Sequence, residues 1–494
     1  MFTEYKPFRN RLRRIDALPA LEAVWAFIQF LQFDRPLPPA FRHPLAAYRS
    51  GTALGLLEWE FETLAREIVA NCPLRGDRTI DDWNAVSALI NEVRRLEGAA
   101  YRGRVDAAEV MYELSRISHR QWPWQARVDH ENVARHYKLY DHPEVRPLIE
   151  REFGMSITEM YQIGLALSGA FQDSMYHALP IANQINDVAP ETVDRFLQRF
   201  SADLSTLGAT VRARASFDVN WAYAFNPLRL HPLVRTPDGR LAAPLTPLLL
   251  RRLLDGIYFD IVPLPEFGNA MGASFQAYVG DVVTAADHNG RMTLLPEQRY
   301  GPAGRARDSV DWIVDDDSGT LFIECKVARM KLAGKIDLTS RDALTEELAR
   351  LASSIVQMYA ALRDALEGRY PHWQPGARPV FPMLLTLDEW NAFGQHIAAI
   401  LDPQVAAGFA QRGLDPALLT DYPYQICSVE AFEAAVQIMG VSSIVEFMLA
   451  KLDGEHRLWP MHSFIANCRQ DEFARCRSLF PEVWTTLEAT AKRA

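Results

Sequence analysis

Asp311-Trp312-Ile313-Val314, the turn Asp316-Asp317-Ser318-Gly319, then Leu321-Phe322-Ile323-Glu324-Cys325-Lys326 decides how this 494-residue chain is read. Two apolar runs flank an acidic, glycine-ended turn, the pattern of two strands joined as a hairpin. Side chains alternate between the faces of a strand, so Glu324 and Lys326 project together while Cys325 points the other way with Ile323. A carboxylate and an ammonium on one face, with the carboxylate of Asp311 across the hairpin, are equipped to hold a divalent cation against a phosphodiester.

The elements around this stretch predict a mixed α/β sandwich. Upstream, Phe267 to Thr284 reads as a helix, with Gly268 and Gly272 expected to allow close helix packing. Met292 to Glu297 reads as a strand before Val310 to Val314 and Thr320 to Val327. Downstream, Leu344, Leu348, Leu351, Ile355, Met358, Leu362 and Leu366 form one stripe of a long helix. Val380 to Leu385 and Tyr424 to Cys427 are two further short strands. Leu230 to Leu241 predicts a hairpin around Pro237-Asp238-Gly239. The first 215 residues read as helical, from repeats such as Leu57, Phe61, Leu64, Ile68 and Trp83, Val86, Leu89, Ile90, Val93. The expected organisation is a helical domain at 1–215, an α/β domain at 216–440 with its core at about 260–430, and a helical segment at 441–494.

The strand with an acidic start, the turn and the Glu-x-Lys end of the next strand resemble the PD-(D/E)xK nuclease superfamily, the restriction-endonuclease-like fold. The resemblance covers roughly residues 260 to 430. It implies Asp311 and Glu324 as metal ligands, with the backbone carbonyl of Cys325 as a further one, and Lys326 beside the attacking water. Many members carry a Glu on the preceding helix; here Ser274-Phe275-Gln276-Ala277-Tyr278 has Gln276 in that place, a neutral amide that adds no charge. Gln357-Met358-Tyr359 is loosely similar to a Gln and Tyr that some members carry after the motif, giving Gln357 a supporting role. The implied cofactor is Mg²⁺ or Mn²⁺, which offsets phosphate charge and lowers the pKa of a bound water. Lys suits its position as a compact point charge that the larger planar fork of Arg would not replace.

Arg305, Arg307, Arg329, Lys331 and Lys335 flank the acidic motif and are candidates to grip a nucleic-acid backbone. Net charge is −10, with 62 acidic against 52 basic residues, so any such grip is a local surface. Asp308 is expected to pair with the neighbouring arginines, and Asp315 to Asp317 to be turn residues. Five scattered cysteines suggest neither a disulfide framework nor a zinc site and fit a reducing cytoplasm. No secretory pattern or membrane span is read in the sequence. His130 and His136 are six residues apart, which puts them on different helix faces and removes the zinc-protease reading.

The function expected is metal-dependent hydrolysis of nucleic acid, DNA favoured over RNA, with anti-phage defence as a setting by analogy. The helical domain would take a protein partner or a second copy. The alternatives are an RNA-cleaving nuclease and a binding or regulatory protein that keeps the fold without turnover.

Overall fold

The computed structural model describes all residues except 44–50, 52–53, 102–109, 127, 182–184, 186–187, 328, 330–340, 391–393 and 489–494. The chain folds as two compact units, Met1–Phe267 with Glu482–Ala494, and Gly268–Pro481.

The first unit is mostly helical. The helices Ala17–Phe33 and Glu58–Asn71 bury most of their residues, and Phe27 stacks on Phe61 with ring centroids 5.0 Å apart. Among the described residues several charges enter this core in pairs. Glu62 is held by Arg229 Nε at 2.5 Å and by Trp124 Nε1 at 2.7 Å, and Arg66 by Glu67 at 2.8 Å. A buried carboxylate without such partners would lose its charge.

A small sheet orders its strands β1 (Tyr176–Ala178), β4 (Arg240–Ala242), β3 (Leu233–Arg235) and β2 (Ser201–Asp203). The predicted hairpin is β3–β4: Thr236 N donates to Arg240 O at 2.9 Å, and Gly239 takes φ +78°. Strands β1 and β2 lie in the stretch expected to be helical throughout. Three-residue strands are too short to leave a periodic pattern in sequence. Their pairing with β3 and β4 places residues 216–267 in the first unit, beyond the expected boundary at 215.

The second unit is mixed α/β. Its sheet runs β11 (Gln425–Ser428), β10 (Val380–Thr386), β9 (Thr320–Lys326), β8 (Trp312–Asp315), β5 (Thr293–Pro296). Strand β10 is parallel to both β9 and β11, whereas β8 is antiparallel to β9 and β5. Every residue of β10 is buried, which explains its unbroken apolar run. The long crossover from β9 to β10 includes the Arg341–Leu366 helix. The turn between β8 and β9 is tied by Asp316. Its Oδ1 accepts from Ser318 N and Gly319 N, each at 2.8 Å, and its Oδ2 accepts from Ile444 N at 2.8 Å. That bond joins the Ile444–Leu452 helix to the sheet, so the chain after 440 continues the α/β unit as far as Pro481.

The Phe267–Ala286 helix packs on β8 at Gly280, where a Cβ would meet Trp312 Cζ2 at 2.5 Å. Gly268 and Gly272, expected to serve close packing, face open space instead. Among the described residues no helix is long and apolar enough to cross a membrane.

Candidate active site

The hairpin β8–β9 pairs Trp312 with Ile323 and Ile313 with Phe322. One step further along the same register sets Asp311 opposite Glu324, and residues opposite each other in a ladder share a face. Asp311, Glu324 and Lys326 are thus brought together on the face that carries Phe322. Lys326 Nζ donates to Glu324 Oε1 at 2.6 Å, and Cys325 N donates to Asp311 Oδ2 at 2.6 Å.

This arrangement concentrates negative charge at the edge of an apolar core. Glu324 is 5% exposed. Burial raises the pKa of Glu324, against the pull of Lys326, and Glu297 adds to the rise. Burial followed by repulsion from Glu324 pushes Asp311 up to about 7, while the Cys325 N–H and Lys326 pull the other way. Burial alone would lower the Lys326 pKa, but attraction to Glu324 and Asp311 wins and raises it, so the amine is cationic at neutral pH. Burial and the same two carboxylates hold the Cys325 thiol well above its usual range.

A bulge shapes the site. Pro296 pairs with Trp312, and in the short hairpin that follows, Arg299 of β6 (Arg299–Tyr300) pairs with Asp308 of β7 (Arg307–Asp308). Between those pairs, Glu297 and Gln298 face Ser309, Val310 and Asp311, one residue more on the second strand. The ladder bonds Glu297 N to Asp311 O at 3.0 Å and Ser309 N to Gln298 O at 3.0 Å, which leaves Val310 as the extra residue. Its N–H goes to Tyr370 Oη at 3.1 Å, and its side chain is fully buried. A bulge re-aims the residue beside it, and here that residue is Asp311.

The same geometry brings in a residue that sequence reading missed. Glu297 lies across the ladder from Asp311, and its charge raises the pKa of both Asp311 and Glu324. Gln276 Nε2 donates to Glu297 Oε2 at 3.2 Å, and Gln276 O accepts from Trp312 Nε1 at 2.8 Å. Gln276, expected as a support, meets the acidic cluster through Glu297. The signal for Glu297 was an acidic residue ending a predicted strand, which only the pairing partner makes meaningful.

Other expected residues divide. Arg305 and Arg307 are exposed in the β6–β7 hairpin. Arg307 Nη1 pairs with Asp364 at 2.9 Å, and Asp308 pairs with Arg299 at 3.5 Å rather than with Arg305 or Arg307. Arg329 is corrected. It is buried and paired with Asp388 at 3.2 Å, so its charge is spent inside the fold and is not presented to a phosphate backbone. Gln357 is exposed on its helix, with no hydrogen bond to Asp311, Glu324 or Lys326, while the neighbouring Tyr359 is core and donates to Tyr422 O at 2.5 Å. Lys331 and Lys335 lie outside the described residues.

The donor set suits a hard cation. Two carboxylates that repel one another while desolvated gain from a divalent ion between them. Among the described residues no group of three or more His, Cys, Asp and Glu side chains is arranged to hold a metal. Mg²⁺ keeps several waters and takes one or two carboxylates, a number that Asp311 and Glu324 could supply.

No protein-family model, curated protein or solved structure matches this chain.

Proposed function

We propose that the second unit is a metal-dependent nuclease with a restriction-endonuclease-like core, hydrolysing phosphodiester bonds in DNA in preference to RNA. The observation that carries the reading is the shared face of Asp311, Glu324 and Lys326, with Lys326 Nζ 2.6 Å from Glu324 Oε1.

A Mg²⁺ or Mn²⁺ ion held by Asp311 and Glu324 would supply charge neutralisation at the phosphate and a more acidic water. The chain's own residues supply the rest. Glu324 fixes the ammonium of Lys326 beside the carboxylates and keeps it protonated. Lys326 then stabilises the negative charge that grows on the phosphoryl oxygens during attack, in a site partly closed to water, where a fixed charge acts most strongly. The Cys325 N–H orients Asp311, and the bulge at Val310 sets the direction of that side chain.

The test is cleavage of plasmid DNA and of RNA with Mg²⁺ or Mn²⁺ by the wild type, Lys326→Ala, Lys326→Arg and Glu324→Gln. Each variant is expected to lose about 100-fold or more in rate, the scale seen when one transition-state donor is removed, with its circular dichroism unchanged. Cleavage by Lys326→Ala at the wild-type rate would overturn the assignment.

A further inference from the structure

Asp364 lies on the Arg341–Leu366 helix with 1% of its side chain exposed, yet four side chains donate to it. Its Oδ2 accepts from Tyr300 Oη at 2.7 Å and Arg307 Nη1 at 2.9 Å. Its Oδ1 accepts from Arg363 Nη2 at 2.8 Å and Arg369 Nη1 at 3.0 Å. The side chains of Arg307, Arg363 and Arg369 remain 60%, 28% and 50% exposed. A carboxylate offers about four acceptor positions, whereas each guanidinium carries five N–H donors. One buried anion thus fixes three cations; Glu367 pairs with a second arm of Arg369 and lies 3.9 Å from Arg363 Nε, and all three guanidinium side chains keep exposed surface. Pinning the β6–β7 hairpin to the helix would need only Tyr300 and one arginine.

The place of this cluster matters. Tyr300 and Arg307 sit on the hairpin that interrupts the chain between Glu297 and Asp311. Tyr370 links the two regions. Its ring lies 4.9 Å from Tyr300 and 6.4 Å from Phe322, on the sheet face shared by Glu324. Its hydroxyl feels the charges of both Glu324 and Asp364. Residues 299–308 and 363–369 together hold five arginines against Asp308, Asp364 and Glu367, a local positive excess in a chain of net charge −10.

The geometry points to Arg307, Arg363 and Arg369, organised by Asp364, as a platform that binds the sugar-phosphate backbone of a nucleic acid beside the Asp311–Glu324–Lys326 site. This inference rests on the nuclease reading for the identity of its ligand. The planar fork of Arg matches phosphate oxygens in pairs, and a guanidinium held in place beforehand loses little side-chain freedom on binding. Phosphates flanking the cut would be gripped here, while the scissile one meets the carboxylates.

The experiment is fluorescence anisotropy of a labelled DNA duplex in EDTA, over a series of salt concentrations, with the full-length chain. Arg363→Ala/Arg369→Ala should weaken binding about tenfold or more at 0.1 M salt and make the salt dependence shallower by about 1.8, near 0.9 for each lost phosphate contact. Arg363→Lys/Arg369→Lys keeps both charges and should retain the wild-type slope. If the alanine pair binds with wild-type affinity and slope, or if the lysine pair loses as much slope as the alanine pair, the platform is refuted. Cleavage by the wild type and its loss in Lys326→Ala are scored separately on unlabelled DNA. A failed platform with intact cleavage therefore leaves the nuclease reading standing. A chain that binds through the platform but cleaves nothing removes that reading alone.

Discussion

Asp311→Asn, made in the full-length chain, should stabilise the second unit at alkaline pH and leave it nearly unchanged at acid pH. In the folded chain, burial and the charge of Glu324 push the Asp311 pKa from 3.8 to about 7. The folded state therefore holds this proton more tightly than the unfolded state. The stabilisation that the proton confers is complete below pH ~4, declines as pH rises, and is gone once pH has passed about 7. Between pH 5 and pH 8 the interval still to be lost is roughly two units, about 3 kcal/mol at 1.36 kcal/mol per unit. Asn is neutral throughout, close in size, and keeps an oxygen for the Cys325 N–H. Urea unfolding at the two pH values, followed by tryptophan fluorescence, reads the difference. Trp312→Phe identifies the transition that belongs to this sheet. Wild type should lose about 3 kcal/mol relative to Asp311→Asn on going from pH 5 to pH 8. Millimolar Mg²⁺ should restore the wild type at pH 8 and not the variant, because only the wild type offers both carboxylates. A wild-type-minus-variant difference that is the same at both pH values would refute the argument that the two acids are held against their mutual repulsion.

Three further outcomes follow from the same geometry. Mn²⁺ must compete with the Asp311 proton, so its affinity by calorimetry should rise up to about tenfold per pH unit from pH 5 and level off above about 7; a flat profile would exclude Asp311 as a ligand. Glu297→Gln removes a charge that raises the pKa of both Asp311 and Glu324. It should weaken Mn²⁺ binding about fivefold to thirtyfold, on the 1–2 kcal/mol scale of a nearby charge, and shift the pH midpoint of binding downward; unchanged calorimetry would place Glu297 outside the site. Gly280→Ala drives a methyl into the Trp312 ring, which Gln276 O holds in place. Overpacking of about 1–3 kcal/mol exceeds the helix gain of about 1 kcal/mol, so the melting temperature should fall by a few degrees, with cleavage reduced through the displaced neighbour Asp311; a variant as stable as wild type would contradict the close approach.

Much of the site was legible because a strand's alternation is a local property. Glu324 and Lys326 share a face whatever surrounds them, and the apolar run before them marks a strand too buried to leave a carboxylate casually placed. The Asp316–Gly319 turn could be read from residue types in the same way. Glu297 and Arg329 could not. Glu297 matters because of the strand it pairs with, and the bulge at Val310, which shifts the register by one residue just beyond that pair, is announced by no periodicity. Arg329 looked like part of a basic flank, but Asp388, 59 positions away in sequence, takes it into the interior. Gly268 and Gly272 misled for the opposite reason: their spacing permits close packing, and the partner met the helix at Gly280.

The sequence alone determined the five strands of the α/β sheet, the turn between β8 and β9, and which two charged side chains leave β9 together, since each follows from neighbours a few residues apart. Only the tertiary structure decided what those charges meet. Pairing of Glu297 with Asp311, the Val310 contact with Tyr370, and the hold of Tyr300 and Arg307 on Asp364 join residues 14 to 64 positions apart, and electrostatic energy depends on distance in space and on exclusion of water, which the order of residues does not specify.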